Sequence, residues 1–195
     1  MEISIFICGI IILPDLTKIS MKIAIISDTH DNLATLDKFL DHIKKNPVGA
    51  IIHCGDIAEG ETLARLAENF SGPILAVFGN MDYRQSLETA AEKFPGQIQL
   101  FKDFGHAEIG GLKIGFCHFP EAAKHACENN RFDFVFYGHT HKPWLETIND
   151  CRLANPGTLA GMFYQATFAI LDAGTKKLEL KIVSRLDSAK TKAAR

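Results

Sequence analysis

Hydrophobic and polar positions follow two periods along this chain. Residues 22–27 (KIAIIS), 49–56 (GAIIHCGD) and 74–78 (ILAVF) contain short apolar, largely β-branched runs ending at turn residues, the pattern of strands buried on both faces. Between the first two, LATLDKFLDHIKK (33–45) sets Leu33, Leu36, Phe39, Leu40 and Ile43 at helical spacing and stops at Asn46-Pro47. ETLARLAENF (61–70) predicts a second amphipathic helix, closed by Ser71-Gly72-Pro73. A third is predicted over 87–94, with Pro95-Gly96 as its stop. Strand and helix alternate, which predicts an α/β architecture.

The pattern then shifts to short strands. IQLFKDFGHAEIGGLKIGFCHF (98–119) predicts a hairpin turning at Gly110-Gly111. A helix over 121–128 and a strand in FDFVFY (132–137) follow. WLETI, CRLA, YQATFAILD and KLELKIV are four more strands, joined by turns at Asn149-Asp150, Asn155-Pro156-Gly157 and Ala173-Gly174. This half is expected to be sheet-rich and antiparallel in part.

Composition narrows the classes. A chain of 195 residues, 47% hydrophobic and 23% charged, suits one soluble globular domain. A net charge of −2 without a basic run argues against nucleic acid as partner. The apolar stretch ISIFICGIIIL is too short to span a bilayer and has no basic residue before it. Residues 1–20 are therefore expected to be an extension arising from an upstream start, a membrane-associated peptide being the alternative; 21–187 are the domain and 188–195 a tail, and stable membrane insertion is not expected. Five cysteines (8, 54, 117, 127 and 151) are scattered without a C-x-x-C pair. They indicate neither a disulfide framework nor a zinc ribbon, and point to a reducing, cytoplasmic compartment. Oligomeric state is not legible.

Candidate chemistry lies where strands stop. Asp28 and His30, Asp56, Asn80, His118, and His139 and His141 each follow a predicted strand, where α/β sheets bind ligands. Taken alone, each has an ordinary reading: an Asp after a strand caps helices or forms turns, and Gly-Asn is a turn pair. Seven ligand-type residues at five strand ends make a joint accident improbable. Imidazole, carboxylate and amide without thiolate suit borderline divalent ions. Seven ligands exceed the needs of one ion; two ions about 3.5–4 Å apart, sharing a carboxylate, would use them all.

The series SDTH, GD, GNMD, H and GHTH resembles the calcineurin-like metallophosphoesterases, above all their small single-domain phosphodiesterase branch. The resemblance runs from Met21 to about Ser184 and includes NPGT at 155–158. It implies a four-layer sandwich of two mixed β-sheets flanked by helices. It further implies that Asp28, His30 and His141 bind one ion, that Asn80, His118 and His139 bind the other, and that Asp56 bridges. Mn2+ is the expected ion, with Ni2+, Co2+, Fe2+ and Zn2+ as alternatives. The implied activity is hydrolysis of a small phosphodiester by metal-bound hydroxide, with no seryl or cysteinyl nucleophile; Cys54 and Cys117 read as packing residues. Asp82 and Asn155 are expected to orient the ligands, a turn role being the alternative for Asp82.

Two positions depart from the family pattern. Met81 stands where many relatives carry a proton-donating histidine, so any general-acid contribution must come from elsewhere. In HFP (118–120), Phe119 replaces a glycine-histidine that often follows this ligand in the branch. Among the remaining histidines, His53 reads as a core or ligand-supporting residue, His42 and His125 as solvated helix residues, and His106 as a weak substrate-side candidate. Arg84 reads as a surface salt-bridge former. The alternative function is a non-catalytic interaction scaffold of the same fold, like a retromer subunit; complete ligand positions argue for the enzyme.

Overall fold

A computed structural model describes residues 21–129 and 132–186. The expectations for 1–20 and 188–195 lie outside them. The elements run β1 (Lys22–Ile26), α1 (Leu33–Lys45), β2 (Ala50–His53), α2 (Gly60–Glu68), β3 (Ile74–Val77), α3 (Arg84–Glu92) and β4 (Ile98–Phe101). Then come β5 (Phe104–Ile109), β6 (Leu112–Cys117), α4 (Pro120–Glu128), β7 (Phe134–Phe136), β8 (Trp144–Ile148), β9 (Cys151–Asn155), β10 (Thr167–Asp172) and β11 (Lys177–Ile182).

Two mixed sheets result. The first has the order β11-β10-β1-β2-β3-β4, with β1 to β4 parallel and β10 and β11 antiparallel. The second has the order β5-β6-β7-β9-β8, with a parallel centre and antiparallel edges. Alternation within β1 assigns the faces. Ile23 and Ile25 pack toward the second sheet with Ile114, Phe116, Phe134 and Phe136. Ala24 and Ile26 face the other way, onto Leu36, Phe39, Leu40 and Ile43 of α1 and Leu63 and Leu66 of α2. On the outer face of the second sheet, Val135 and Leu153 pack against Ala123 and Cys127 of α4. The order is helices, sheet, sheet, helix: the four-layer sandwich.

Several details differ from expectation. β4 opens the run of short strands predicted to form a hairpin, yet it is the last parallel strand of the first sheet. Only β5 and β6 form the hairpin, turning at Gly110 and Gly111, both with positive φ. Helix α3 begins at Arg84, three residues before the predicted start; Leu87 and Ala90 are its buried residues, so the apolar pattern marks only its middle. Pro120 occupies the first turn of α4, where its missing N–H costs nothing.

The cysteine expectation is corrected. Cys127 and Cys151 form a disulfide, with Cα atoms 5.3 Å apart across α4 and β9. Scatter along the chain hid the pair, because a crossover brings together residues 24 positions apart. The argument from cysteine spacing to a reducing compartment loses its ground.

Candidate metal centre

The loops after β1, β2, β3, β6 and β7 bring the seven candidate residues together, so both sheets contribute. One group collects around Asp28. Its Oδ1 lies 3.3 Å from His141 Nε2 and 4.0 Å from His30 Nε2, and the two imidazole nitrogens are 3.3 Å apart. His30 Nε2 also lies 3.7 Å from Asp56 Oδ2. One ligand atom from each of Asp28, His30, Asp56 and His141 falls within 4.8 Å of the others. A second group begins at the same carboxylate: His118 Nε2 is 3.3 Å from Asp56 Oδ2 and 3.0 Å from Asn80 Oδ1, which is 3.0 Å from His139 Nδ1. Asp56 belongs to both.

These groups fit cations on their electron pairs. His118 Nδ1 lies 2.8 Å from the Cys54 carbonyl and His141 Nδ1 lies 3.4 Å from the Met162 carbonyl. A carbonyl only accepts, so each Nδ1 carries the hydrogen, and in the neutral ring Nε2 carries a lone pair. Those lone pairs face carboxylate and amide oxygens, which are acceptors too. Asp28 Oδ2, fully buried, meets no donor among the described residues. Burial opposes the His118 cation, yet the bond and charge of Asp56 outweigh it and raise the pKa. The bond to Asp28 raises that of His141 against burial. Burial disfavours the Asp56 carboxylate, but His118, the Met81 N–H and His30 together hold its pKa low.

The backbone is strained where the candidate ligands sit. Asp28, His30, Asp56, His139 and His141, five of the seven, have φ between 42° and 64°. Non-glycine residues rarely enter that region, and they concentrate where surrounding structure imposes them. Glycines supply the matching close approaches. A Cβ on Gly138 would strike Ser27 Oγ and lie 2.8 Å from Asp28 Oδ2; one on Gly79 would strike Asp56 Oδ1.

Two further residues brace the loops. Asp82 Oδ2 accepts from the backbone N–H of Asp56 at 3.2 Å and of Gly79 at 2.6 Å, and Oδ1 accepts from Ala58 at 2.8 Å. It ties the loop after β2 to the loop after β3, although burial pushes its pKa up. Asn155 donates to the Gly138 carbonyl at 2.8 Å and to Thr140 Oγ1 at 3.0 Å, gripping the GHTH loop. Thr158 Oγ1 donates to the Asp28 carbonyl at 3.0 Å, so the NPGT segment steadies the first loop as well.

The other histidines stand apart from the ligand groups. His53 is buried; its Nδ1 accepts from Gly55 N–H, so Nε2–H donates to Thr29 Oγ1 at 2.7 Å. Burial lowers its pKa to about 3, and it stays neutral. His42 is half-buried against Phe168, ring centroids 5.4 Å apart, rather than fully solvated. His125 is exposed. His106 lies on β5 in a cavity of about 780 Å³ between that hairpin and α4, lined by none of the candidate ligands. Cys54 and Cys117 are buried thiols. Burial pushes Cys117 up to about 12 and, with Cys117 and Asp28 adding to it, Cys54 well above its ordinary value. Arg84 lies over the Phe78 ring, 5.1 Å from its centroid.

The sequence model of the calcineurin-like phosphoesterase superfamily domain matches residues 21–176. The chain belongs to this superfamily. It is 32% identical over 160 residues to a phosphodiesterase of Methanocaldococcus jannaschii, covering 80% of this chain and 96% of the relative. A solved archaeal phosphodiesterase superposes with a TM-score of 0.77 at 31% identity, over 83% of this chain and 99% of that one. Vacuolar protein sorting 29 of Entamoeba histolytica, complexed with zinc, shares the fold alone: TM-score 0.59 at 19% identity, over 84% and 99% of the two chains. In this calcineurin-like phosphoesterase Asp28, His30, Asp56 and His141 offer ligand atoms close enough to hold one metal ion. Sequence reasoning missed the supporting Thr29–His53 and Thr158–Asp28 bonds, whose residues lie beside motif positions but carry no spacing signal of their own.

Proposed function

We propose that residues 21–187 form a metal-dependent phosphodiesterase holding two divalent ions. Asp28, His30 and His141 serve one, Asn80, His118 and His139 the other, and Asp56 serves both. The observation that carries this reading is the shared Asp56 carboxylate, whose Oδ2 lies 3.7 Å from His30 Nε2 in one group and 3.3 Å from His118 Nε2 in the other. When bound, the ions supply Lewis acidity: they neutralise charge on the phosphoryl oxygens and acidify the attacking water. Mn2+ is the ion we expect, and a small phosphodiester the substrate.

The chain's own residues limit the reaction. Cys54 and Cys117 are buried and held as thiols, and the Ser27 hydroxyl is fully buried, so none of them presents a nucleophile. The route we propose is direct attack of water. His118 and His141 commit their N–H groups to backbone carbonyls and do not serve as donors to a leaving group. Met81, 56% exposed, offers no proton. Esters with good leaving groups are therefore the favoured substrates.

Hydrolysis of bis(p-nitrophenyl) phosphate with Mn2+ tests this reading. Asp56→Ala and His139→Ala should each lower turnover more than about 100-fold, and dialkyl phosphates should react more slowly than aryl diesters. Undiminished activity in both variants would remove the dinuclear centre from the mechanism. No activity in any form would favour the interaction scaffold.

A further inference from the structure

Two phenylalanine rings beside the centre are unexplained by packing. Phe163 is 85% exposed, yet its backbone is held at φ +64°. A 2.7 Å bond from Tyr164 N–H to the Met162 carbonyl closes a strained γ-turn around it. A bulky residue in this conformation costs free energy, and burial returns none of it here. The turn places the Phe163 ring against the His141 ring, centroids 5.5 Å apart, while the Met162 carbonyl faces His141 Nδ1. Phe119, 44% exposed, meets the other group: its ring centroid lies 5.0 Å from that of His118 and 4.9 Å from that of His139. Neither ring joins any of the three apolar clusters. An exposed aromatic wall therefore stands at each histidine group, with Asp56 between them.

We infer that Phe119 and Phe163 each receive one planar substituent of the substrate, so that the site selects phosphodiesters carrying aromatic groups on both ester arms. This rests on the phosphodiesterase reading. A diester anchored at the shared centre sends its two arms outward in different directions, and a ring awaits on each side. An aryl or nucleobase face meeting such a ring gains offset-stacked or edge-to-face contact that a methyl group lacks, worth about 3- to 10-fold in affinity per ring. A monoester, with one arm, engages one wall only.

Three substrates with the same leaving group test the inference on the full-length, Mn2+-loaded chain. They are bis(p-nitrophenyl) phosphate, methyl p-nitrophenyl phosphate and the p-nitrophenyl ester of thymidine 5′-phosphate. Phe119→Leu and Phe163→Leu keep apolar bulk at exposed positions and remove the ring. Each should raise KM for the bis-aryl ester by about 3- to 10-fold. Only one of them should do so for the methyl ester, identifying the wall that takes the leaving group. Dividing variant by wild type cancels the intrinsic reactivity of each ester. If both variants also raise KM for the thymidine ester, the second arm accepts a nucleobase; if only one does, it accepts simple aryl groups. Turnover with unaltered bis-aryl KM in both variants overturns the walls and leaves the phosphodiesterase standing. Should nothing be hydrolysed, that reading fails and calorimetry with diphenyl and dimethyl phosphate still decides the walls. Tighter binding of the diphenyl ester, weakened in both variants, supports them, and equal binding overturns them.

Discussion

At the scale of single residues, the centre is a set of acceptors that need either protons or cations. In the ion-free protein His118 and His141 keep their protons to higher pH than an ordinary imidazole, near 6.5. Their contribution to stability is complete below about pH 6.5 and is lost as pH rises through the raised folded values. His53 acts with the opposite sign: neutral when folded, with its pKa about 3, it costs stability as pH falls below about 6.5. If His118 and His141 are ligands as proposed, binding needs their neutral rings, so Mn2+ would displace their protons and its affinity should tighten with pH by up to tenfold per unit for each proton. From pH 6.5 to 8.5 the chelated protein should therefore lose thermal stability while the gap to the Mn2+-loaded protein widens. Parallel melting curves would show that neither imidazole is a ligand. The identities of these residues were legible, because aspartate and histidine after a strand announce themselves. The left-handed backbone at five of the seven candidate ligands was not, since histidine at +58° or +64° carries no local signal of the kind glycine does.

At the scale of elements, helix α4 is fastened differently from the other three. Its buried face is small, with Ala123 and Cys127 as its buried residues, and the bond from Cys127 to Cys151 supplements that packing. Closing a loop of 24 residues should contribute about 3 kcal/mol through the unfolded chain. For a domain of this size, reduction, or Cys151→Ser, should lower Tm by about 6–12 °C. Phosphodiester hydrolysis at room temperature should survive, because α4 packs on the outer face of the second sheet and supplies none of the proposed ligands. An unchanged Tm after reduction would show that the cross-link does no structural work. The pair exposes a limit of pattern reading. Alternation and helical period say which residues are buried, so β1, β2, β3 and α1 were legible almost to the residue. They do not say against what, which is why β4 joined the first sheet unannounced and Cys127 met Cys151 unforeseen.

At the scale of the molecule, the proposed centre crosses the interface between the two sheets. Asp28 and His30 follow β1, Asp56 follows β2 and Asn80 follows β3, all in the first sheet; His118 follows β6, and His139 and His141 follow β7 in the second. Each ion would take ligands from both sheets, so loading should tie the layers together and stabilise the whole fold. At a Mn2+ concentration 100 times Kd, one site contributes about 2.7 kcal/mol, which in a domain of this size raises Tm by about 5–11 °C. Two sites should give about twice that. The ligand sets then predict a hierarchy: His30→Ala and His139→Ala each forfeit one ion and about half of the shift, whereas Asp56→Ala, which serves both, forfeits nearly all of it. Calorimetric unfolding across a Mn2+ titration, with metal content measured on the same samples, reads both quantities at once. A full shift retained in His139→Ala alongside its loss in His30→Ala would reduce the centre to one ion around Asp28, and equal shifts in all three variants would place the stabilising ion elsewhere on the protein.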